Sequence, residues 1–374
     1  MKREHIFLGV FAFVIIGVQG AFWCLPHEKV SEKEKRVLSE PPRISLARIA
    51  DGRFMEQAET YLTDHFPARE TFIGAQAYFR QAEGLNAANE IYRGKEDWLI
   101  ATPLKDEQAI LKRNLSALND FLKQTGKPAT ALVVPTTGAV EADFLPWLHE
   151  TYPDEVLLDM IQKTLDPAVK WCDVFGAFES HPEREKLFYR TDHHWTTAGA
   201  YRAYQLFCAE TDRVPTPKTA YKITEVPDFY GTSYAKSGLW ATKPDTLEVW
   251  QSETTVSIAV QDENMKQPKE QDSLFFWAHQ NELDKYPIFL DGNHGRVTIE
   301  TGGKGERLLV LRDSFAHCFA PFLAEHFSRI DLIDLRYFKL QTVSEYLAQN
   351  PVDEILLCYG LDSLMTDRSI GQIK

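Results

Sequence analysis

The spacing of apolar positions changes character along the chain, and each change predicts a different element. Ile6 to Leu25 is a run of 20 residues with Gln19 as its main polar interruption, preceded by Lys2-Arg3. Such a run is long enough to cross a bilayer as one helix. Residues 26–50 are charged and carry Pro41-Pro42, the pattern of a stalk. Phe54, Ala58, Tyr61 and Leu62, then Phe72, Ala75, Tyr78 and Phe79, recur at helical spacing. Asp64-His65-Phe66-Pro67 breaks the two helices apart, because proline cannot continue the first. Ile91 to Ile100 predicts a hairpin.

An alternation of helices and buried strands follows. Leu111, Leu115, Leu118 and Leu122 stripe one helix, and Thr130 to Val134 is a short apolar run suited to a parallel strand. A helix over 156–165 and a strand near 169–174 come next, then a helical pattern from Ala198 to Cys208. Residues 215–300 interrupt the rhythm with strand-like pieces at 247–251 and 254–260, a mainly β insertion. The rhythm resumes with strands at 307–311, 330–335 and 354–359 and helices at 315–327 and 342–349. Strands alternating with helices predict an α/β/α sandwich around a parallel sheet. The expected organisation is 1–25 as membrane anchor or signal, 26–90 as stalk and helical region, and 91–374 as the α/β domain with its insertion.

Composition narrows the class. With 44% hydrophobic residues most of the chain should bury a core, and a net charge of −13 without a basic block disfavours nucleic-acid binding. Lys29, Lys33, Lys35 and Arg36 follow the apolar run among Glu28, Glu32 and Glu34, so flanking charge leaves orientation open. Val18-Gln19-Gly20 before Ala21 would be a poor signal cleavage site, and the expectation is an uncleaved anchor with the body outside the cytoplasm. Cys24 falls in the apolar run; Cys172, Cys208, Cys318 and Cys358 show no zinc spacing and read as buried thiols or as extracytoplasmic bridges.

Candidate chemistry lies in two stretches. In Thr191-Asp192-His193-His194-Trp195-Thr196-Thr197 a carboxylate and two imidazoles precede a helix that Thr196 or Thr197 can cap. An Asp-x-His span can set an imidazole's tautomer and raise its basicity. Adjacent residues of an extended loop point to opposite sides, so Asp192 pairs with His194 rather than His193. The second stretch, Leu308 to Phe315, runs an apolar strand into Arg312-Asp313-Ser314 and a helix. A serine there sits at the sheet's carboxyl edge, with its N–H aimed from a helix N-terminus at a developing oxyanion. It needs a base, which His194 oriented by Asp192 can supply. The alternatives are that Ser314 only caps its helix, or that His193 joins His317, Cys318 or His326 around a metal.

Asp192 to Tyr201, Asp-His-His-Trp-Thr-Thr-x-Gly-Ala-Tyr, closely resembles the signature of the DHHW family of bacterial cell-envelope proteins. That family is related to the SGNH-hydrolase-like acyltransferases of alginate O-acetylation, which carry Asp-Thr-His-Trp there. Asp64 to Arg69, Gly94 to Leu99, Val134-Pro135-Thr136, Phe229 to Tyr234 and Asp313-Ser314-Phe315 extend the resemblance in order along the chain. It implies an SGNH-like domain with Ser314 as nucleophile, His194 as base and Asp192 as the orienting acid. His193, standing where the alginate relatives have threonine, would lie beside the pair. The Asp-x-His spacing is one residue shorter than in ordinary SGNH esterases, and no counterpart of their oxyanion glycine and asparagine is evident. The implied function is O-acyl, chiefly acetyl, transfer to or removal from an envelope or exported polysaccharide, with no cofactor or metal and with a membrane-bound O-acyltransferase as partner. The other class of reading is a non-catalytic carbohydrate-binding or assembly protein.

Overall fold

Six consecutive buried residues, Ala129–Val134, form the strand on which the larger part of the chain is built, β1. The computed structural model describes residues 2–105, 108–282, 284–303 and 305–374. Contacts divide the chain into two compact units, Glu90–Ser233 with Thr242–Lys374, and Met1–Asn89 with Tyr234–Ala241. Residues 234–241, read from sequence as part of the insertion, therefore group with the N-terminal region.

In the larger unit the sheet also contains β2 (Lys170–Cys172), β3 (Ser257–Gln261), β4 (Lys269–Gln271), β5 (Arg296–Glu300), β6 (Arg307–Arg312), β7 (Arg329–Ile333) and β8 (Glu354–Gly360). Their spatial order is β4-β3-β5-β7-β6-β8-β1-β2. From β7 to β2 every neighbour is parallel. This is the mixed α/β architecture expected, but the insertion is not a separate β body. Three of its strands extend the sheet antiparallel from β7, because Val297, Ile299, Ile258 and Val260 continue the buried face. Lys222–Phe229 and Asp245–Gln251 pair as a separate antiparallel ribbon.

Side chains alternate across a strand, so fully buried strands need cover on both faces. Ala129, Ala131 and Val133 face Leu111, Leu115, Leu118 and Ile161, on the helices Gln108–Thr125 and Asp154–Thr164. The opposite face is covered by Val174–Glu179 and Thr197–Glu210, and Thr197–Glu210 packs against Ala316–Leu323. That last helix ends at Leu323 rather than 327, with Pro321 inside it removing a backbone donor. The four cysteines of the body are free and buried, as are apolar thiols in a packed core.

The smaller unit contains Lys2–Cys24, the one helix among the described residues long and apolar enough to cross a membrane. Two further helices, Arg53–Asp64 and Arg69–Ala82, are separated at the expected break, where Ala68 takes a left-handed conformation. Asp64 closes the first helix and ties it to the stalk. Its carboxylate accepts from Arg36 Nη1 at 3.1 Å and from Ser39 N and Oγ at 2.9 Å each. The Arg36 hydrogen bond, aided by Ser39, holds this carboxyl well below the usual carboxylate range. A depressed carboxylate gives its full stabilisation above its unfolded pKa of about 4 and loses it progressively as pH falls from there through the lower folded-state pKa. Asp64→Asn should thus destabilise the detergent-solubilised chain by about 1–3 kcal/mol at pH 7. Thermal melts at falling pH, from 7 to the acid limit of folding, check this, since the gap between wild type and variant should narrow progressively as pH approaches the depressed pKa.

Candidate active site

The loop from Thr191 to Thr197 is held by its own backbone before any catalytic group is considered. Phe188 and Trp195 form an antiparallel bridge, and Thr196 N donates to Leu187 O at 2.8 Å. Thr196 is the helix cap, its hydroxyl accepting from Gly199 N at 3.1 Å. Within this loop Asp192 Oδ1 accepts from His194 N at 2.8 Å and from His194 Nδ1 at 2.5 Å. The first bond is an Asx-type turn that brings the imidazole back over its own carboxylate. Asp192 Oδ2 accepts from Thr232 N at 2.6 Å. The other face of the imidazole reaches across the fold: His194 Nε2 lies 2.7 Å from Ser314 Oγ. The structure thus brings together Asp192, His194 and Ser314.

Ser314 occupies the turn between β6 and Ala316–Leu323. It is not a cap. No side chain caps that helix, and the neighbouring Phe315 N–H is taken by Asp313 Oδ1 at 2.9 Å. Asp313 Oδ2 accepts from Gly360 N at 2.7 Å, tying the turn to the end of β8. Burial pushes the Asp313 carboxyl pKa up, against those hydrogen bonds. Gly360 permits close packing there, since a Cβ would come within 2.6 Å of the Phe315 ring.

The two histidines do not diverge as an extended loop requires. The turn at Asp192 places their ring centroids 3.8 Å apart. His193 is half-exposed, and its Nδ1 lies 2.6 Å from Thr232 Oγ1. Asp192, His193 and His194 present ligand atoms within 4.8 Å of one another, a set that could share a cation. Both ring nitrogens of His194 are already engaged, however, by Asp192 and Ser314. The other histidines considered as ligands have their own partners. His317 is buried and accepts from Arg312 Nη1 at 2.6 Å, with burial holding its pKa well below the ordinary value. His326 pairs with Tyr204 at 2.5 Å, and Cys318 lies 3.4 Å from the Tyr286 hydroxyl.

Several supporting residues had no role in the sequence reading. Tyr286 stacks on His194 with centroids 4.1 Å apart and planes at 12°, and its hydroxyl donates to Ser314 O at 3.2 Å. Burial keeps that hydroxyl protonated. Asp245 Oδ2 accepts from Thr191 N at 2.8 Å and Thr191 Oγ1 at 2.6 Å, and Thr191 Oγ1 in turn accepts from Gly231 N at 3.1 Å. Gly231 and Thr232 belong to the Phe229 to Tyr234 stretch that carried part of the resemblance, a signal for their importance but not for their partner. Tyr286 sits in a segment without periodicity and gave no signal. Beside the histidines lies a cavity of about 30 Å³, lined among others by Thr137, Gly138, Tyr152, His193, Phe315 and Asp362.

Part of this chain is similar to known proteins. The family model described as DHHW protein matches residues 149–333. A probable alginate O-acetylase AlgJ of Pseudomonas putida is 23% identical over 177 residues, 44% of this chain and 45% of that protein. The match therefore spans less than half the length of that relative. Among solved structures, a DHHW family protein of Eubacterium siraeum is 25% identical, with a TM-score of 0.65, covering 76% of this chain and 94% of that one. Bacillus cereus PatB1, solved with a sulfonyl adduct, shares the fold at 21% identity and a TM-score of 0.64, covering 76% of this chain and 98% of that one.

Gly231 gives a test of the carboxylate's setting. A Cβ there would fall 2.1 Å from Asp192 Cβ, so one of the two backbones must move. Gly231→Ala should destabilise the protein by about 1–3 kcal/mol, the usual cost of overpacking. A melting temperature equal to wild type would show that Asp192 is not wedged against this glycine.

Proposed function

Starting from a DHHW-family domain over residues 149–333, we propose that this protein is a membrane-anchored, extracytoplasmic O-acyltransferase or acylesterase acting on a polysaccharide. The observation that carries the reading is the continuous hydrogen-bonded series from Asp192 through His194 to Ser314. Similarity to a probable alginate O-acetylase supports the substrate class.

Each group then has a role. Asp192 accepts the Nδ1 proton of His194, so Nε2 carries the lone pair facing Ser314. As Ser314 Oγ bonds to the acyl carbonyl carbon, its proton passes to His194 Nε2. The carbonyl oxygen becomes an oxyanion, received by the Ser314 N–H at the start of Ala316–Leu323. When the intermediate collapses, the bond to the donor's oxygen breaks and that oxygen takes the proton from His194. A sugar hydroxyl, or water in the esterase direction, then attacks the Ser314 ester and gives its proton to His194, which returns it to Ser314 Oγ. Tyr286 stacked on the imidazole fixes the ring plane through both steps, while Asp245 and Thr232 hold the loop and its carboxylate. No cofactor enters this scheme. A membrane-bound O-acyltransferase supplying acyl groups from the cytoplasm is the partner such chemistry calls for.

The discriminating experiment is turnover of p-nitrophenyl acetate with covalent labelling by a serine-reactive phosphonate. Ser314→Ala should remain folded and lose both labelling and turnover. His194→Ala should lower the rate by about 10²–10⁴, the usual worth of a general base, and His193→Ala by much less. A His193→Ala variant as inactive as His194→Ala, with EDTA inhibition reversed by zinc, would replace this mechanism with a metal centre at Asp192, His193 and His194. Unchanged turnover in a folded Ser314→Ala protein would overturn the serine mechanism, and wild-type protein showing neither turnover nor labelling would leave the carbohydrate-binding reading in its place.

Orientation has its own measurement. Protease added to cells with the outer layer stripped should digest the body, and full protection would place the body inside.

A further inference from the structure

We infer that the helical pair Arg53–Asp64 and Arg69–Ala82 is a second membrane contact, with an apolar groove filled by phospholipid at the headgroup boundary. The inference rests on the proposed membrane anchor but concerns a different part of the chain. Between the two helices lies a groove of about 710 Å³, lined by Met55, Leu62, Phe66 and Phe72 together with polar residues such as Arg69. Met55 is 66% exposed, Leu62 53% and Phe72 61%. A helix pair standing in water buries such a stripe. Here the buried side of the second helix is already used: Gly74 lies against Trp240, where a Cβ would be 3.3 Å from the indole, and Tyr78 accepts from Ala241 N at 2.9 Å. The groove is the side left open.

What covers it follows from where the apolar N-terminal helix ends. Phe22, the third-last residue of Lys2–Cys24, is buried against Tyr61 of the groove's first helix, ring centroids 6.2 Å apart. His27 bonds Phe22 O at 2.8 Å, meets the Tyr61 hydroxyl and stacks on His65 at 4.7 Å. This aromatic knot joins the exit of the apolar helix to the very turn of helix that carries Leu62. A bilayer enclosing Lys2–Cys24 therefore brings its surface up to the groove. Tyrosine and histidine at the knot, with apolar side chains beyond it, are arranged as in membrane-interface elements. A second copy of the chain or a protein partner would have to displace that surface to reach the same residues.

The test uses the full chain in phosphatidylcholine–phosphatidylglycerol vesicles. Cys24→Ser removes the exposed thiol, and Leu62→Cys, Phe72→Cys or Met55→Cys then carries an environment-sensitive fluorophore at an exposed position. Lipids bearing a nitroxide near the headgroup should quench each label several-fold more strongly than aqueous iodide does. Labels quenched by iodide as fully as the free dye, in protein that co-floats with vesicles, would overturn this inference and leave the anchor standing. Labels shielded from both quenchers would also overturn it, in favour of a second copy covering the groove. Protein that fails to co-float would overturn the anchor and the groove contact together.

Discussion

The candidate site depends on a seam of aromatic rings between two helices that lie far apart in the chain. Thr197–Glu210 and Ala316–Leu323 pack side by side, with Tyr204 stacked on Phe322 at 5.4 Å and Trp195 on Phe319 at 5.8 Å. At the end of the seam Trp195 Nε1 donates to Phe315 O at 3.0 Å. Large rings with few rotatable bonds lock such a contact at low conformational cost. Because His194 and Ser314 each sit one residue from that bond, the seam sets the distance between them. The tryptophan of the Asp-His-His-Trp run is thus the ruler of the site, fully buried and clear of the reacting atoms.

Around this ruler the structure concentrates buried carboxylates. Asp192, Asp245 and Asp313 are each nearly inaccessible, a placement that costs free energy unless hydrogen bonds compensate. The compensation is mainly from backbone N–H groups, at Thr191, His194, Thr232, Phe315 and Gly360. Each carboxylate therefore fastens a loop in one geometry: Asp245 the start of the histidine loop, Asp192 its turn, Asp313 the serine turn. A site assembled from loops gains in this way the rigidity usually supplied by regular elements.

The smaller unit follows a related rule with different materials. Arg36, Ser39 and Asp64 pin the stalk to the first helix, while the aromatic knot at Phe22, His27, Tyr61 and His65 pins the apolar helix to it. The stalk expected from its charges and prolines is therefore hydrogen-bonded structure rather than a loose tether.

Local order was legible from the residues alone. The apolar run to Leu25, the alternation of strands and helices, a helix cap at Thr196 or Thr197 and the placement of Ser314 at a strand-to-helix turn each depend on neighbours within about one turn or strand, so backbone geometry encodes them. The Asp192–His194 pairing belongs to the same class, two residues apart, although the reason differs: an Asx turn and not an extended loop. What only tertiary structure decided is everything set by segments meeting through space. Sequence spacing holds no distance between residues 194 and 314, no reason for Gly231 to lie on Asp192, and no hint that Tyr286 covers the imidazole. It likewise could not show that β3, β4 and β5 join the main sheet, because strand pairing is chosen by matching buried faces across the fold. The chemistry is written locally, and its alignment is a property of the packed sheet and helices.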